Sequence, residues 1–368
     1  MKVAYLTNVI MPAGDAQSIQ VAAMATTFAQ NLNEDFILIS PKTSLNGRLN
    51  RKFKWIRINI SYRLPRFIRY LLFIIKSLIP VYKFHPIIIY SRDIGVVFIY
   101  KLLGFNAVYE IHKPFQTKIG NFIFTLIGKK IKIVVISESL KKYVCNSYNI
   151  DEKNILTAHD GVFLEDYKHA CESHRGELRK QYLDIDNEKF LAMYCGSAQK
   201  GRGLEIILQV AGLLKDIIFV VVGCDRSKAE EYKISINNNI QFVDRVSNEA
   251  VPYYLVCADC LILPMTKETL HYKYPSPLKM FEYMASRVPI ISSNVGSITE
   301  ILNDENSYLF DPEKTEEVID RIQSIRDNTT RSLIKSNKAF EDVKEHTWQN
   351  RVKKITNFFN ENITYERN

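Results

Sequence analysis

Two short stretches carry the residue types that hold an anionic ligand. The first is YCGSAQKGRGLE, Tyr194 to Glu205, where Gly196, Gly201 and Gly203 are interleaved with Lys200 and Arg202 between an apolar run and a helical pattern. Glycines let backbone N–H groups approach an anion, a helix N-terminus adds a favourable dipole, and two adjacent cations suit a diphosphate. The spacing matches neither the Walker loop nor GxGxxG. The plain alternative is a glycine-rich turn with two solvated cations. The second stretch is KYPSPLKMFEYMASRVPII, 273–291. Ser276 fits a helix N-cap and Pro277 a first helical residue. Lys279 and Glu282, three residues apart, then share one helix face. Helix-terminal amides and Lys279 would suit phosphate, and Glu282 would accept hydrogen bonds from ribose hydroxyls. The alternative is a surface ion pair between these two residues.

Other residue types point to less. The six cysteines (Cys145, Cys171, Cys195, Cys224, Cys257 and Cys260) lack the spacing of a disulfide framework. Cys257 and Cys260 lie in VCADCLILP, which reads as a helix end entering a buried strand, so they are expected as small core residues; no second pair completes a zinc site. Asp184 and Asp186 form D-I-D in a charged segment rather than an apolar-flanked loop. No metal site is expected.

The elements that would position these groups are legible as apolar runs alternating with amphipathic stretches. Strands are expected at 3–9, 36–40, 87–91, 107–112 and 132–137, and again at 190–197, 217–223, 240–244, 260–264 and 289–293. Helices are expected at 17–31, from Leu204 to Lys215, near 247–257 and from Leu278 to Ser286. The runs are apolar throughout rather than alternating, as in parallel strands buried on both faces. Strand–helix alternation in both halves predicts two doubly wound α/β domains, with a join in the polar stretch 160–188. Ligands of such sheets bind beyond the carboxyl ends of the strands, which places the expected site in the cleft between two facing domains.

The 368 residues are 46% hydrophobic and 24% charged, which excludes disordered and low-complexity classes. Of 49 basic and 40 acidic residues, the first 170 positions hold 23 and 11, so the first half carries the whole net charge of +9 and more. No acid occurs between Asp35 and Asp93, whereas basic residues recur from Lys42 to Lys83. That asymmetry predicts an anionic partner: membrane, nucleic acid or a phosphorylated substrate. The N-terminal MKVAYLTNVIMP reads as a first strand rather than a signal peptide. The most apolar stretch, Phe67 to Tyr82, is interrupted by Arg69 and Lys76 and is not expected to span a bilayer.

The segment SPLKMFEYMASRVPIISSNVGSITEIL resembles the donor-binding segment of family-4 retaining glycosyltransferases, nucleotide-sugar-dependent enzymes of the GT-B group. In order along the chain, GDAQSIQVAAMATTFAQN, YSRDIGVVFIYKLLGFNAVYEIH, VVISESLKKYV with AHDGVFLEDY, GSAQKGRGLE with VVVG, and HTWQNRVKKI resemble further parts of that family. The resemblance implies two facing Rossmann-like doubly wound domains, 1–165 on the acceptor side and 166–345 on the donor side, with a C-terminal crossover helix, 346–368, packing back on the first.

It also implies roles. Arg202 matches the second cation of a diphosphate-neutralising pair; the first falls near Ser197, where Lys200 would compensate. Of two glutamates seven residues apart in the family, the ribose-binding one matches Glu282 and the sugar-facing one falls at Tyr274, so donor preference is not inherited. Ser276, Leu278 and Lys279 would lie near the phosphates, with Gly196 and Gly201 in the turn. The loop from Val243 to Val246 would cover the base. His112 matches a family histidine close to the donor sugar, its alternative being a histidine bonded locally at a strand end. Gly14 and Asp15 would allow close approach on the first loop. Asp160 would shape the site or serve as a turn residue.

The chemistry implied is metal-independent, cofactor-free transfer of a sugar from a UDP- or GDP-linked donor with retention at the anomeric carbon. Arg202, Lys200, Lys279 and helix-terminal amides would stabilise the leaving diphosphate, with His112 at the reacting sugar. The expected acceptor is a glycan, lipid-linked, in cell-surface polysaccharide synthesis. The basic, aromatic-rich stretch 42–83 would dock on an anionic membrane, giving a cytoplasmic protein peripheral to the inner face. Competing readings are an epimerase or hydrolase of nucleotide sugars and a basic nucleic-acid binder. No nucleic-acid motif occurs, so nucleic acid is not an expected partner.

Overall fold

The computed structural model describes residues 1–11, 15–42, 53–185, 188–268 and 272–363. Gly14, Arg48, Arg51, Lys52 and Asp186 lie outside them. The chain forms two compact units, one of residues 1–159 with 348–368, the other of residues 160–347.

In the first unit β1 (Val3–Leu6), β2 (Phe36–Pro41), β3 (Trp55–Ile58), β4 (Ile88–Ser91), β5 (Asn106–Ile111), β6 (Lys132–Val135) and β7 (Ile155–Thr157) form a parallel sheet in the order β3-β2-β1-β4-β5-β6-β7. Its helices are α1 (Ala16–Leu32), α2 (Arg66–Phe84), α3 (Ile94–Leu102), α4 (Lys118–Ile127) and α5 (Glu138–Tyr148). β1, β2 and β4 are buried at every residue, as their unbroken apolar runs require. Side chains on the connecting loops start the helices. Asp15 accepts from Ser18 N–H, Asp93 from Gly95 and Val96, Thr117 from Gly120 and Ser137 from Leu140.

The second unit opens with α6 (Lys168–Glu172) and α7 (Arg175–Leu183). Its sheet contains β8 (Leu191–Cys195), β9 (Ile218–Val222), β10 (Ile240–Val243), β11 (Cys260–Leu263), β12 (Ile290–Ser293) and β13 (Tyr308–Phe310), parallel in the order β10-β9-β8-β11-β12-β13. The helices α8 (Leu204–Leu213), α9 (Arg226–Glu230), α10 (Val251–Val256), α11 (Leu278–Ala285), α12 (Thr315–Asp327) and α13 (Thr329–Val343) complete it. Strand order reverses between β8 and β11, the position where doubly wound sheets open a crevice for ligands.

Cys257 and Cys260 are fully buried at the α10–β11 junction. The buried Arg179 guanidinium braces the same corner, donating to the Cys257 carbonyl at 2.7 Å and to Asp259 at 2.7 Å.

Three strands escaped the sequence patterns: β3, β7 and β13. All are sheet edges of three or four residues, where one flank has no neighbour to demand an apolar run. The unit boundaries also differ from 165 and 345. Val162 N–H donates to the His346 carbonyl at 3.1 Å, which keeps 160–165 with the second unit. Arg351, on α14 (Trp348–Ile363), donates to the carbonyls of Ala158 and His159 at 3.2 and 2.9 Å, which ties the last helix to the first unit.

Candidate functional site

In the second unit, the glycine-rich turn leaves the carboxyl end of β8 at the strand-order reversal. Gly201 and Gly203 both have left-handed backbones, with φ of 81° and 80°. A side chain on Gly203 would collide with the Pro264 carbonyl beyond β11. The Gly201 carbonyl accepts from Thr266 N–H at 3.3 Å, so the loops after β8 and β11 interlock. Among the described residues, the buried Thr266 hydroxyl has no hydrogen-bond partner.

Lys279, on the first turn of α11, reaches this turn. Its amine donates to the Tyr194 hydroxyl at 3.3 Å and sits 4.3 Å from that ring's centroid. The Tyr194 hydroxyl donates to the Ser197 carbonyl at 2.8 Å. Gly196 is the close-approach residue, since a β-carbon there would lie 2.7 Å from the Lys279 amine. Burial, and then repulsion from Arg202, lower the Lys279 pKa to about 7. Arg202 is half-buried and makes no side-chain hydrogen bond or ion pair with another described residue. Two cations thus lie within electrostatic reach of each other beside the turn, and neither forms an ion pair with another described residue. Arg202 and Lys279 are the groups that could hold a diphosphate here.

Glu282 stands one turn along α11. Burial raises its pKa to about 7, with Lys279 opposing the shift. The two residues share a face but form no ion pair, so the surface salt bridge is not what the sequence encodes. Tyr283 braces the floor, its hydroxyl accepting from Cys195 N–H at 2.8 Å.

Several expectations change. Ser276 is not the N-cap of α11: the helix is preceded by Pro277 without a side-chain cap, and the Ser276 hydroxyl instead accepts from Asp160 N–H at 3.0 Å. Both residues are buried, so a tertiary contact outcompetes the local cap. Lys200 is exposed and stands 4.0 Å from Glu268; the cation beside Gly196 is Lys279. Ser197 is exposed and contributes its carbonyl to Tyr194. Val243 ends β10 half-buried, its carbonyl accepting from Gly223 N–H at 2.9 Å. Tyr274 and Leu278 are half-buried at the start of the α11 segment. The chain before α11 is held by Ser297, whose N–H donates to the Lys273 carbonyl at 3.1 Å and whose hydroxyl donates to that of Pro275.

The first unit holds His112 and Asp15. His112 follows β5, its Nε2 2.6 Å from Glu110, and Asp15 caps α1. Sequence patterns missed Glu110, Tyr194, Tyr283 and Arg351. Glu110 alone had a signal, as the one acid inside an otherwise apolar strand of this unit.

Residues 189–328 match the family model described as glycosyl transferases group 1. The sulfoquinovosyl transferase SQD2 of Arabidopsis thaliana is 21% identical over 75% of this chain and 56% of its own length. A putative colanic acid biosynthesis glycosyl transferase, WcaI of Escherichia coli, is 29% identical over 30% of this chain and 28% of its own. The chain spans less than two thirds of the curated relatives it matches first. Among solved structures, sucrose-phosphate synthase from Thermosynechococcus elongatus superposes with a TM-score of 0.80 at 16% identity, covering 99% of this chain and 100% of that one. Anabaena HepE in complex with UDP-glucose gives 0.75 at 13% identity, covering 98% of each. Residues 189–328 thus match a glycosyl transferases group 1 domain, on a chain whose two parallel sheets have the GT-B fold.

Proposed function

We propose that the protein is a retaining, metal-independent glycosyltransferase that moves a sugar from a nucleotide sugar to a glycan acceptor. The observation that carries this reading is Lys279 beside Gly196 at the β8–β11 reversal with Arg202 in its electrostatic reach, two cations that form no ion pair with another described residue. A departing nucleoside diphosphate supplies the missing anion. Its developing charge would be met by Arg202, Lys279 and the amides before α8. Glu282 would accept from the ribose hydroxyls, and His112 would serve at the sugar. HepE, a structural neighbour, binds UDP-glucose, which favours a UDP-linked donor.

The acceptor is proposed to be lipid-linked. Among the described residues no helix is long and apolar enough to cross a membrane. α2 instead exposes Phe67, Leu71, Ile75 and Ile79, spaced four apart, with Arg66, Arg69, Lys76 and Lys83 on the same helix. An apolar stripe among cations and no acids fits an anionic lipid surface.

The deciding experiment incubates the full chain with UDP-, GDP-, ADP- and TDP-sugars, with and without EDTA, and reads the product anomer by NMR. Transfer with retention, unaffected by EDTA, supports the proposal. Inversion, loss of transfer with EDTA, or conversion of donor without transfer counts against it.

A further inference from the structure

Glu110 is buried in the first unit, and three donors converge on its Oε1. They are the Arg351 guanidinium at 2.9 Å, the Gln20 amide at 2.8 Å and His112 Nε2 at 2.6 Å. They come from α14, α1 and the end of β5. Gln20 is oriented in turn by Arg92, which donates to its amide oxygen at 2.7 Å. Tyr90 on β4 lies in the same electrostatic neighbourhood, its phenol pushed well above the usual range by burial and then by the Glu110 charge.

The arrangement has a chemical consequence for His112. Burial works against a charge on Glu110, but Arg351 and then His112 outweigh it, and the carboxyl is held well below its ordinary range. An ionised carboxylate has no proton to give, so the ring nitrogen facing it must carry one. Glu110 lies in β5 and His112 follows its last residue, so the end of this strand brings the carboxylate and imidazole together. Arg351 then fixes the carboxylate from a helix 241 residues away.

We propose that Glu110 and Arg351 are positioning residues for His112, holding the imidazole by its Nε2–H in a single orientation. The inference rests on the reading of His112 as a group that serves at the donor sugar. It makes the last helix a working part of the site and not only a packing element.

The test uses the full chain with Glu110→Gln and Arg351→Met, reading the His112 ring by NMR alongside kcat and donor KM. His112→Gln assigns the ring signals. Removing the carboxylate should lower the His112 titration midpoint by about 1 pH unit or more, since an adjacent opposite charge favours the protonated ring. Removing Arg351 should move it upward, because the carboxylate then has the imidazole as its nearest strong cation. The other charged or titratable groups facing the cluster, Arg92 through Gln20 and Tyr90, are common to both variants. Both variants should lose kcat about tenfold or more, with donor KM changed little. A role in folding alone would not shift the ring in opposite directions. An unmoved titration in either folded variant, or a moved titration with unchanged kcat, overturns the proposal. If Glu110→Gln does not fold, the upward shift in Arg351→Met decides. If the wild-type chain transfers no sugar, the proposed function fails separately, and the ring titrations alone decide whether Glu110 and Arg351 hold His112.

Discussion

The Lys279 amine rests 4.3 Å from the centroid of the Tyr194 ring and 3.3 Å from its hydroxyl, beside the glycine turn at the end of β8. The ring face and phenol oxygen partly stand in for an anion. A phosphate bound as proposed would meet the amine there. Gly196 leaves the space this requires.

Gly196→Ala should therefore impair the site without unfolding the unit. The added methyl would meet the amine and the Tyr194 hydroxyl, both ends of side chains that can move. Nucleotide affinity should fall about tenfold, close to 1.4 kcal/mol, with the melting temperature nearly unchanged. Gly203→Ala should do the reverse. It meets the Pro264 backbone in a left-handed conformation and should cost about 1–3 kcal/mol of stability. For a domain of this size each kcal/mol lowers the melting temperature by about 2–4 °C. Calorimetry of both variants separates the two effects.

Arg202→Ala and Glu282→Ala should each remove at least about 99% of transfer, near 2.7 kcal/mol of transition-state stabilisation, while far-UV spectra and melting stay native. Among the described residues neither side chain forms an ion pair, so neither substitution breaks one. Lys200→Ala should change kcat/KM by less than about threefold, since an exposed cation near Glu268 is well screened. Steady-state kinetics of the three variants test this ranking, and a Lys200→Ala defect matching that of Arg202→Ala would refute it.

Nucleotide binding should be linked to protons with opposite signs on the two sides of neutrality. Lys279 has its pKa lowered to about 7, and a bound diphosphate favours its protonated form. Binding above pH 7 should take up a proton, and affinity should fall as pH rises. Glu282 has its pKa raised to about 7, and donors from ribose favour its ionised form. Binding below pH 7 should release a proton, and affinity should fall as pH drops. Each limb approaches about tenfold per pH unit. Titration calorimetry in buffers of different ionisation enthalpy at pH 6 and 8 reads both signs. Lys279→Met should abolish the alkaline limb and Glu282→Gln the acid limb.

Replacing Phe67, Ile75 and Ile79 together with serine should release the chain from vesicles of phosphatidylglycerol and phosphatidylcholine. These side chains are 70%, 59% and 65% exposed, so the fold should tolerate the change. Inserting each into lipid would contribute up to about 1.5–3 kcal/mol, and a loss of at least about tenfold in partitioning is expected. Raising the salt should weaken the wild-type interaction. Equal partitioning of the triple variant, measured by sedimentation, would remove α2 as the contact.

The sequence by itself determined the architecture. Unbroken apolar runs such as FILIS and IIYS require strands buried on both faces. Asp15, Asp93, Thr117 and Ser137 start helices where the runs end. These signals act within about four residues and survive any tertiary setting. The glycine turn, Lys279 and Glu282 were legible for the same reason, as they sit at element ends. Tertiary structure decided which of these groups meet. It took the Ser276 hydroxyl from the helix cap and gave it to Asp160, placed Lys279 rather than Lys200 beside Gly196, and set Tyr194 beneath the amine. It also joined Glu110 to Arg351, since strand order and helix docking, unlike periodicity, bring together side chains far apart in the chain.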